Sequence, residues 1–267
     1  MRDIPSPAVY LVAKTSLVHD GLNAYLRDIG SPDWTPDAAV SDGENLIEAA
    51  GRMCYRSWQA YDPEKPEATN PNVRRVREGN EAYIGNVLRQ AHGSILEHVN
   101  LTFIFRGVSR VVTHELVRHR VGMAYSQESL RYVRLDDLPF WLPEAARDDD
   151  AVERKFRDVV AFLESVQTDL GTLFGIEDLK DFTTKKHLTS MFRRLAPMGI
   201  GTTIMETGNL RSWRHIIAIR TAGAAEEEIR IVGSQVAAIC KREYPHAFHD
   251  MEQDDETGEW TFANMKV

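Results

Sequence analysis

One alternating segment constrains the fold of this chain more than any other feature. In "HVNLTFIF" (98–105), every second side chain is large and apolar, the set being Val99, Leu101, Phe103 and Phe105. A period of two predicts a strand with one buried face. Two further strands are predicted, a buried one at Val9–Ala13 and a short one in "GIGTTIMETG" (199–208). We therefore expect a central β-sheet.

Helical periodicity occupies much of the remaining chain. Ser41, with Glu44 three residues later, forms a capping box, and it predicts a helix whose buried face holds Leu46, Ala49, Ala50 and Met53. The acidic run 148–150 suits the start of another helix, with an apolar face of Phe156, Val159, Val160, Leu163, Val166 and Leu170. Further helices are predicted at about 76–91, 111–117 and 183–195, and through most of 210–244. Three prolines predict a loop at 59–73.

No repeat, low-complexity linker or domain boundary interrupts this pattern. We expect one domain over residues 1–267, with an acidic and loose tail at 250–267. Many helices with few, separated strands favour a helix-rich α+β (mixed α/β) fold in which helices flank the sheet. We expect neither a signal peptide nor a membrane span, because no apolar run is long enough. The two cysteines, Cys54 and Cys240, are too few for a disulfide framework and favour a reducing cytoplasm.

Positive charge is concentrated in two segments of a chain whose formal net charge is −8. Residues 106–134 contain six arginines and two carboxylates, and residues 185–220 contain five arginines, two lysines and one carboxylate. The acidic balance argues against general nucleic-acid binding. Arginine holds phosphate through a planar fork of donors, so these two arginine-rich segments predict a site for anionic ligands. For any single arginine, a solvated helix face paired with acids is the alternative.

Several familiar site patterns are absent. "HELVRH" (114–119) places its histidines five residues apart, about 140° around a helix, so they cannot share a metal from one face. We expect no metal site. The sequence has no G-x-S-x-G, G-x-G-x-x-G or Walker loop. We therefore do not expect Ser129 to be a covalent nucleophile, and side chains rather than a glycine-rich turn would hold a nucleotide.

Four segments form an ordered set of motifs. Arg118-His119-Arg120 is followed, after a spacer, by Ser129-Leu130-Arg131-Tyr132. "AHGSILEHVNLTF" (91–103) precedes this pair, and "RRLAP" (193–197) and "NLRSWRHIIAIR" (209–220) follow it. The set resembles the signature of the flavin-dependent thymidylate synthases over about residues 44–248.

Four positions depart from the pattern of that family. The spacer between Arg120 and Ser129 has eight residues where seven is usual. Glu115 stands where glutamine is common, Gln127 where glutamate is often found, and Ala224 where some members have histidine.

The resemblance implies a flavoprotein transferase of nucleotide biosynthesis. It implies reductive C5-methylation of dUMP to dTMP, with 5,10-methylenetetrahydrofolate as carbon donor and NADPH as the source of a hydride that passes through FAD. It also implies a homotetramer whose active sites are shared between subunits, and we expect the two arginine-rich segments to meet across subunits. The partners would be a small nucleotide and a folate, without nucleic acid, membrane or metal.

The resemblance also assigns residues. It assigns FAD contacts to His92, Ser94, Glu97, Arg118, His119, Arg120, Ser126 and Ile219, and, from another subunit, to Asn209, Arg211 and His215. It assigns nucleotide contacts to Glu115, Gln127, Ser129, Leu130, Arg131, Arg193 and Arg220. Arg220 is assigned to the uracil edge as the catalytic residue. There its charge would stabilise negative charge on the pyrimidine and raise the nucleophilicity of C5.

The sequence also allows other roles for two of these residues and other activities for the protein. Arg220 could instead be a structural ion pair with Glu226 or Glu227, and Tyr132 could stack on a ligand or pack in the core. The same chemistry on UMP or another pyrimidine nucleotide is an alternative activity. A noncatalytic nucleotide- or RNA-binding protein would use the same arginines without bound flavin.

Overall fold

The computed structural model describes residues 1–4, 6–131 and 137–267, so the alternatives for Tyr132 lie outside the described residues. Its strands are β1 (Arg2–Asp3), β2 (Ala8–Lys14), β3 (Asn100–Ser109), β4 (Met123–Gln127), β5 (Pro139–Phe140), β6 (Gly201–Asn209), β7 (Met251–Gln253) and β8 (Trp260–Phe262). The central sheet is antiparallel, with the strand order β2–β3–β6–β4. β1 pairs with β5, and β7 pairs with β8.

Helices supply most of the regular structure. They are α1 (His19–Asp28), α2 (Asp42–Tyr55), α3 (Asn80–Arg89), α4 (Arg110–Leu116), α5 (Glu144–Arg147), α6 (Asp150–Leu173), α7 (Phe182–Phe192), α8 (Leu210–Arg220) and α9 (Glu227–Glu243), with 3₁₀ turns at Gly93–His98 and Arg193–Leu195. The fold is therefore mixed α/β and helix-rich with a central sheet, as predicted.

The alternating segment forms β3, and its predicted buried face is confirmed. Leu101, Phe103 and Phe105 are fully buried in the main core, where α2, α3, α4, α8 and α9 also place apolar side chains. Trp213 of α8 packs edge-on against Phe103, with 4.9 Å between ring centroids. Strand β6, longer than predicted, pairs with β3 along its whole length and carries the chain directly into α8.

Side-chain caps begin several helices at the predicted places. The hydroxyl of Ser41 accepts from the backbone N–H of Glu44 at the start of α2, which confirms Ser41 as the N-cap, while the Glu44 carboxylate accepts from the Ser41 hydroxyl (3.0 Å). Asp149 accepts from the backbone N–H groups of Ala151 and Val152 at the start of α6. Helix α3 begins later than predicted, after Gly79, whose φ of 84° is outside the helical region.

Three predicted burial patterns are wrong in part. On the edge strand β2, Val9 and Leu11 pack against the main core, whereas Tyr10 and Val12 point to the opposite face and are about half exposed. Helix α2 buries Ile47 and exposes half of Met53. On α6, Val160 is buried, whereas Phe156, Val159 and Phe162 remain exposed on the chain. This face of α6 is therefore available for further contacts.

The C-terminal segment, which we expected to be loose, is folded against the main core. β7 and β8 form an antiparallel hairpin whose Met251, Trp260 and Phe262 are buried. Asp250 is ion-paired with the buried Arg214 of α8 through two bonds of 2.8 and 2.9 Å. The acidic composition of the segment suggested a loose tail, but these three apolar side chains attach it to the core. Among the described residues, no helix is long and apolar enough to cross a membrane.

Candidate active site

The two arginine-rich segments meet within one chain at Arg220. This last residue of α8 reaches the turn after α4, where its Nε donates to His119 Nε2 (2.9 Å) and its Nη2 donates to Glu115 O (3.0 Å). Its Nη1 is ion-paired with the Glu115 carboxylate. The segments thus meet without a second subunit, and the structural partner of Arg220 is Glu115 rather than Glu226 or Glu227. Three of the five N–H donors of the guanidinium have partners among the described residues, and the other two have none there and could bind a ligand.

His119 is held as a neutral acceptor. Burial, followed by the charge of Arg220, lowers the pKa of its imidazole to about 4, and His215 and Arg118 add to this effect. Its ring packs edge-on against His215, with 5.8 Å between centroids. Because Nε2 accepts from Arg220, the ring proton resides on Nδ1. The hydroxyl of Tyr125 lies against the carbonyl oxygens of Leu116 and His119 and so fixes the turn.

A close contact joins this turn to the start of α8. Gly122 has a φ of 69°, and a Cβ there would lie 2.3 Å from Asn209 Nδ2, so only glycine fits. Ser212 Oγ donates to Val121 O (2.8 Å). Asn209, assigned to FAD, is 8% exposed and caps α8 by accepting from the backbone N–H of Ser212 (2.8 Å). In this structure its side chain positions the helix.

The other cofactor residues follow one side of α8. Arg211, His215 and Ile219 are spaced four residues apart and therefore form a stripe along the helix. Arg211 Nη1 donates to Glu97 Oε1 (2.6 Å), with both side chains partly exposed. At the opposite end of the stripe lie His119 and Arg220. Helix α8 thus links the Glu97 region to the turn after α4.

A cleft lies beside Arg211. It has a volume of about 290 Å³, and we call it the His92 cleft; its lining is Gly51, Cys54, Tyr55, Val87, residues 91–95 and Arg211. The rings of Tyr55 and His92 are stacked, with 5.6 Å between centroids, and the Tyr55 hydroxyl lies 3.1 Å from His92 Nδ1. The assigned residues His92, Ser94 and Arg211 therefore share one cleft.

The nucleotide residues occupy the other side of the turn, between β4 and α7. Gln127 Nε2 donates to Thr113 Oγ1 of α4 (3.2 Å), and Ser129 Oγ accepts from the backbone N–H of Arg131 (3.4 Å). Arg131 O accepts from Thr189 Oγ1 (2.7 Å), and the exposed Arg193 follows Thr189 by one helical turn. The side chain of Leu130 is buried with Leu138 and Phe140 in a separate apolar cluster, so its assigned nucleotide contact would come from its backbone.

Arg110 was not singled out from the sequence. Its Nη1 is buried without a hydrogen-bond partner among the described residues. Burial, and then the nearby positive charge of Arg193, lowers the pKa of its guanidinium. Two arginines placed together, one of them with an unpaired buried donor, suit an anionic ligand. The available signal was its place in the first arginine-rich segment.

The remaining predicted residues are at the surface. Arg118 is exposed and lies 3.6 Å from a Glu115 oxygen, and Arg120 is also exposed. Ser126 is exposed on the face of β4 opposite to Tyr125 and Gln127.

Within the described residues, no group of three or more His, Cys, Asp or Glu side chains could hold a metal ion. Cys54 and Cys240 are both free thiols.

Comparison with known proteins places this chain in a family. The family model described as "Thymidylate synthase complementing protein" matches residues 38–246. A flavin-dependent thymidylate synthase of Mycobacteroides abscessus is 36% identical, with 91% of this chain and 87% of the relative aligned. The chain belongs to the flavin-dependent thymidylate synthase family. Proteins of the same description from Mycobacterium leprae (33% identity; 94% and 92% aligned) and Corynebacterium diphtheriae (32%; 82% and 83%) agree.

Membership makes this flavin-dependent thymidylate synthase homologue an enzyme of dTMP biosynthesis, a transferase and a flavoprotein. The residues present fit a flavin nucleotide. The His92 cleft offers the Ser94 hydroxyl and the Arg211 guanidinium as donors, and Gly93 contributes no side chain to its floor. Pockets that enclose drug-sized ligands measure about 300–1,000 Å³. The smaller His92 cleft would therefore enclose only part of a flavin nucleotide.

Proposed function

We propose that the enzyme converts dUMP into dTMP by reductive methylation at C5, with FAD as its flavin. 5,10-Methylenetetrahydrofolate would supply the carbon and NADPH the hydride. The observation that carries this proposal is the state of Arg220. Its guanidinium is oriented by Glu115 and His119 and keeps two N–H donors for a ligand. Such a preorganised cation stabilises negative charge that develops on a uracil ring.

The neutral state of His119 supports this role for Arg220. A protonated imidazole would be a donor at both nitrogens and would repel the guanidinium. With its pKa lowered to about 4, His119 accepts from Arg220 throughout the neutral range. The guanidinium therefore keeps its orientation at the pH of the cytoplasm, where we place the reaction.

FAD would be held by the residues along α8 and the His92 cleft. Bound FAD supplies hydride transfer between NADPH and the methylene group. The contacts would come from Ser94, Arg211 and His215 on one side and from Arg118, His119 and Arg120 on the other. His92, Glu97 and Ser126 complete the set, and Asn209 would act by positioning α8.

The nucleotide phosphate would bind between β4 and α7. Arg131 and Arg193 lie at α7, and the unpaired Nη1 of Arg110 lies beside Arg193. A phosphate there would offset the repulsion between neighbouring guanidinium groups. Ser129 would donate to the nucleotide, and Gln127 and Glu115 would border the base.

We further propose a homotetramer with active sites shared between subunits. The small size of the His92 cleft supports this assembly, since a second chain would complete the enclosure. The exposed Phe156, Val159 and Phe162 on α6 provide an apolar face for subunit contact.

The test is flavin content followed by turnover. The purified protein should be yellow and should release FAD on denaturation. NADPH oxidation and dTMP formation, measured with dUMP and in parallel with UMP, should show product from dUMP. Failure to bind FAD after reconstitution with an excess would contradict the proposal, and turnover of UMP alone would redirect it to that nucleotide.

A further inference from the structure

A second cleft adjoins the His92 cleft at the end of α2. It has a volume of about 420 Å³ and lies between the end of α2 and the loop 59–73. We call it the Tyr61 cleft; its lining is Cys54, Tyr55, Arg56, Tyr61, Pro63, Pro66 and residues 69–71. Because Cys54 and Tyr55 line both clefts, the two clefts are neighbours.

The lining of the Tyr61 cleft combines aromatic faces with one cation. Tyr55 and Tyr61 are each 46% exposed. Arg56 donates through Nη1 to Pro66 O (2.9 Å) and is otherwise exposed. The adjacent loop also carries three acids, Asp62, Glu64 and Glu67, but none of them lines the cleft. This lining suits a planar aromatic group that bears negative charge, since rings stack and guanidinium pairs with anions.

Hydrogen bonds within the protein hold the loop in this shape. Thr69 Oγ1 lies 2.8 Å from both Asp62 O and Lys65 O. Asn70 Nδ2 donates to Tyr55 O (3.1 Å), which ties the loop to the end of α2. A preformed cleft loses less conformational freedom when a ligand binds.

The left-handed C-cap of a helix lines each of the two clefts. Among the described residues, the non-glycine residues with positive φ are Arg56 (46°), which lines the Tyr61 cleft, and Ala91 (55°), which lines the His92 cleft. Both are left-handed helix C-caps: the N–H groups of Arg56 and Ser57 donate to Met53 O and Arg52 O at the end of α2, and those of Ala91 and His92 donate to Leu88 O and Val87 O at the end of α3. The cap at Arg56 ends α2 and leaves this residue beside the loop 59–73.

We propose that the Tyr61 cleft is a subsite for the aromatic, anionic portion of a co-substrate. The ring would stack on Tyr61, and the negative group would pair with Arg56. This inference rests on the proposed function, whose two co-substrates both carry such a portion. One is the p-aminobenzoylglutamate of the folate, and the other is the phosphorylated adenosine of NADPH.

The test uses the FAD-loaded enzyme and two probes, p-aminobenzoylglutamate and adenosine 2′,5′-bisphosphate, titrated by calorimetry. One probe should bind to the wild type. Tyr61→Leu should weaken its binding by roughly 5- to 150-fold, the range for loss of a stacked ring. Tyr61→Phe should restore it to within about 2-fold, because the ring is retained. Arg56→Asn removes the charge while tolerating positive φ, and should also weaken binding.

Steady-state kinetics provide the second readout. The same variants should raise KM for the matching co-substrate alone and leave kcat and FAD content unchanged. Tyr10→Leu, at an equally exposed tyrosine on β2, is the control. Binding of neither probe to the wild type, or unchanged binding in both Tyr61→Leu and Arg56→Asn, would overturn the inference. Calorimetric titration measures probe binding and does not require turnover. An absence of dTMP formation would therefore contradict the proposed function and not this inference.

Discussion

At the scale of single residues, Arg220 offers a ligand the donors that Glu115 and His119 leave unused. Arg220→Lys keeps the charge but loses the planar pair of donors that fits a uracil edge. Loss of one preorganised donor to a developing anion costs about 2.7–4 kcal/mol, roughly 10²–10³ in rate. We expect dTMP formation to fall by this factor, and flavin reduction by NADPH to change much less.

Comparing the two half-reactions in Arg220→Lys distinguishes a catalytic role of Arg220 from a structural one. Flavin reduction and dTMP formation should be measured on the same FAD-loaded sample, with thermal unfolding as the check on folding. A purely structural ion pair with Glu115 predicts the opposite result, in which lysine substitutes with little change in either rate.

Glu206 makes stability depend on pH. It is fully buried on β6, neither carboxylate oxygen has a partner among the described residues, and burial raises its pKa to about 8. Between pH 4.5 and 8 the folded state keeps a proton that the unfolded state has lost. The free energy of unfolding therefore falls as pH rises through this window. At about 1.4 kcal/mol per pKa unit, the total is on the order of 5 kcal/mol.

Glu206→Gln should remove this component of the pH dependence. Urea unfolding at pH 6 and pH 8.5 should show a smaller difference than in the wild type, with the gain in stability largest at pH 8.5. Glu252→Gln, at an exposed glutamate on β7, is the matched control and should keep the wild-type slope. An unaltered slope in Glu206→Gln would mean that this carboxyl ionises freely in the folded protein.

At the scale of elements, Ser109 connects the helix that carries Glu115 to α9. Its hydroxyl accepts from the backbone N–H of Val112 (3.3 Å) and donates to Glu228, whose carboxylate also accepts from the Ser109 N–H (2.7 Å). Ser109→Ala removes the cap of α4, worth about 0.5–2 kcal/mol. It also leaves buried Glu228 short of a donor, at about 1–3 kcal/mol.

We expect Ser109→Ala to lower the free energy of unfolding by more than Asp149→Ala does. Asp149 caps the exposed start of α6 and has no buried carboxylate behind it, so its loss costs the cap alone. Chemical denaturation of the two variants gives the comparison. Equal losses would mean that Glu228 gains nothing from the Ser109 hydroxyl.

Elements specified by neighbouring residues in the sequence could be predicted, whereas contacts between distant segments of the chain could not. The alternation in β3 and the Ser41 cap of α2 depend on neighbouring residues, and both predictions were confirmed. Met53 was wrongly placed on the buried face of α2, because the extent of the covered face depends on the elements packed against it. The C-terminal hairpin was missed for the same reason, since its burial is decided by α8 and α9.

In the candidate site, too, residues within sequence motifs could be predicted, whereas contacts between distant segments could not. The ordered motifs allowed assignment of the His92 cleft residues and of Arg220, and these assignments remain predictions. The sequence did not reveal that Glu115 and His119 would orient Arg220, because about a hundred residues separate them along the chain. Nor did it distinguish Arg110 from other arginines, since an unpaired donor is visible only in three dimensions.

At the scale of the whole molecule, shared sites predict complementation. Arg131→Gln and Arg211→Gln should each be inactive alone. If the two arginines of a site come from different chains, random mixing leaves roughly a quarter of the sites with both intact. Co-expression of the two variants should then restore up to about that fraction of activity. A monodisperse, fully active monomer in light scattering would exclude the shared arrangement.

The contact of Arg220 with Glu115 and His119 in its own chain has a consequence for how the enzyme matures. A newly synthesised subunit leaves folding with this guanidinium already oriented, so association has nothing to rearrange there. In the proposed assembly, dilution would dissociate the subunits. It would lower the number of complete active sites but not the turnover rate of each remaining site. Specific activity per bound flavin should stay constant as concentration falls, while the amount of bound flavin declines.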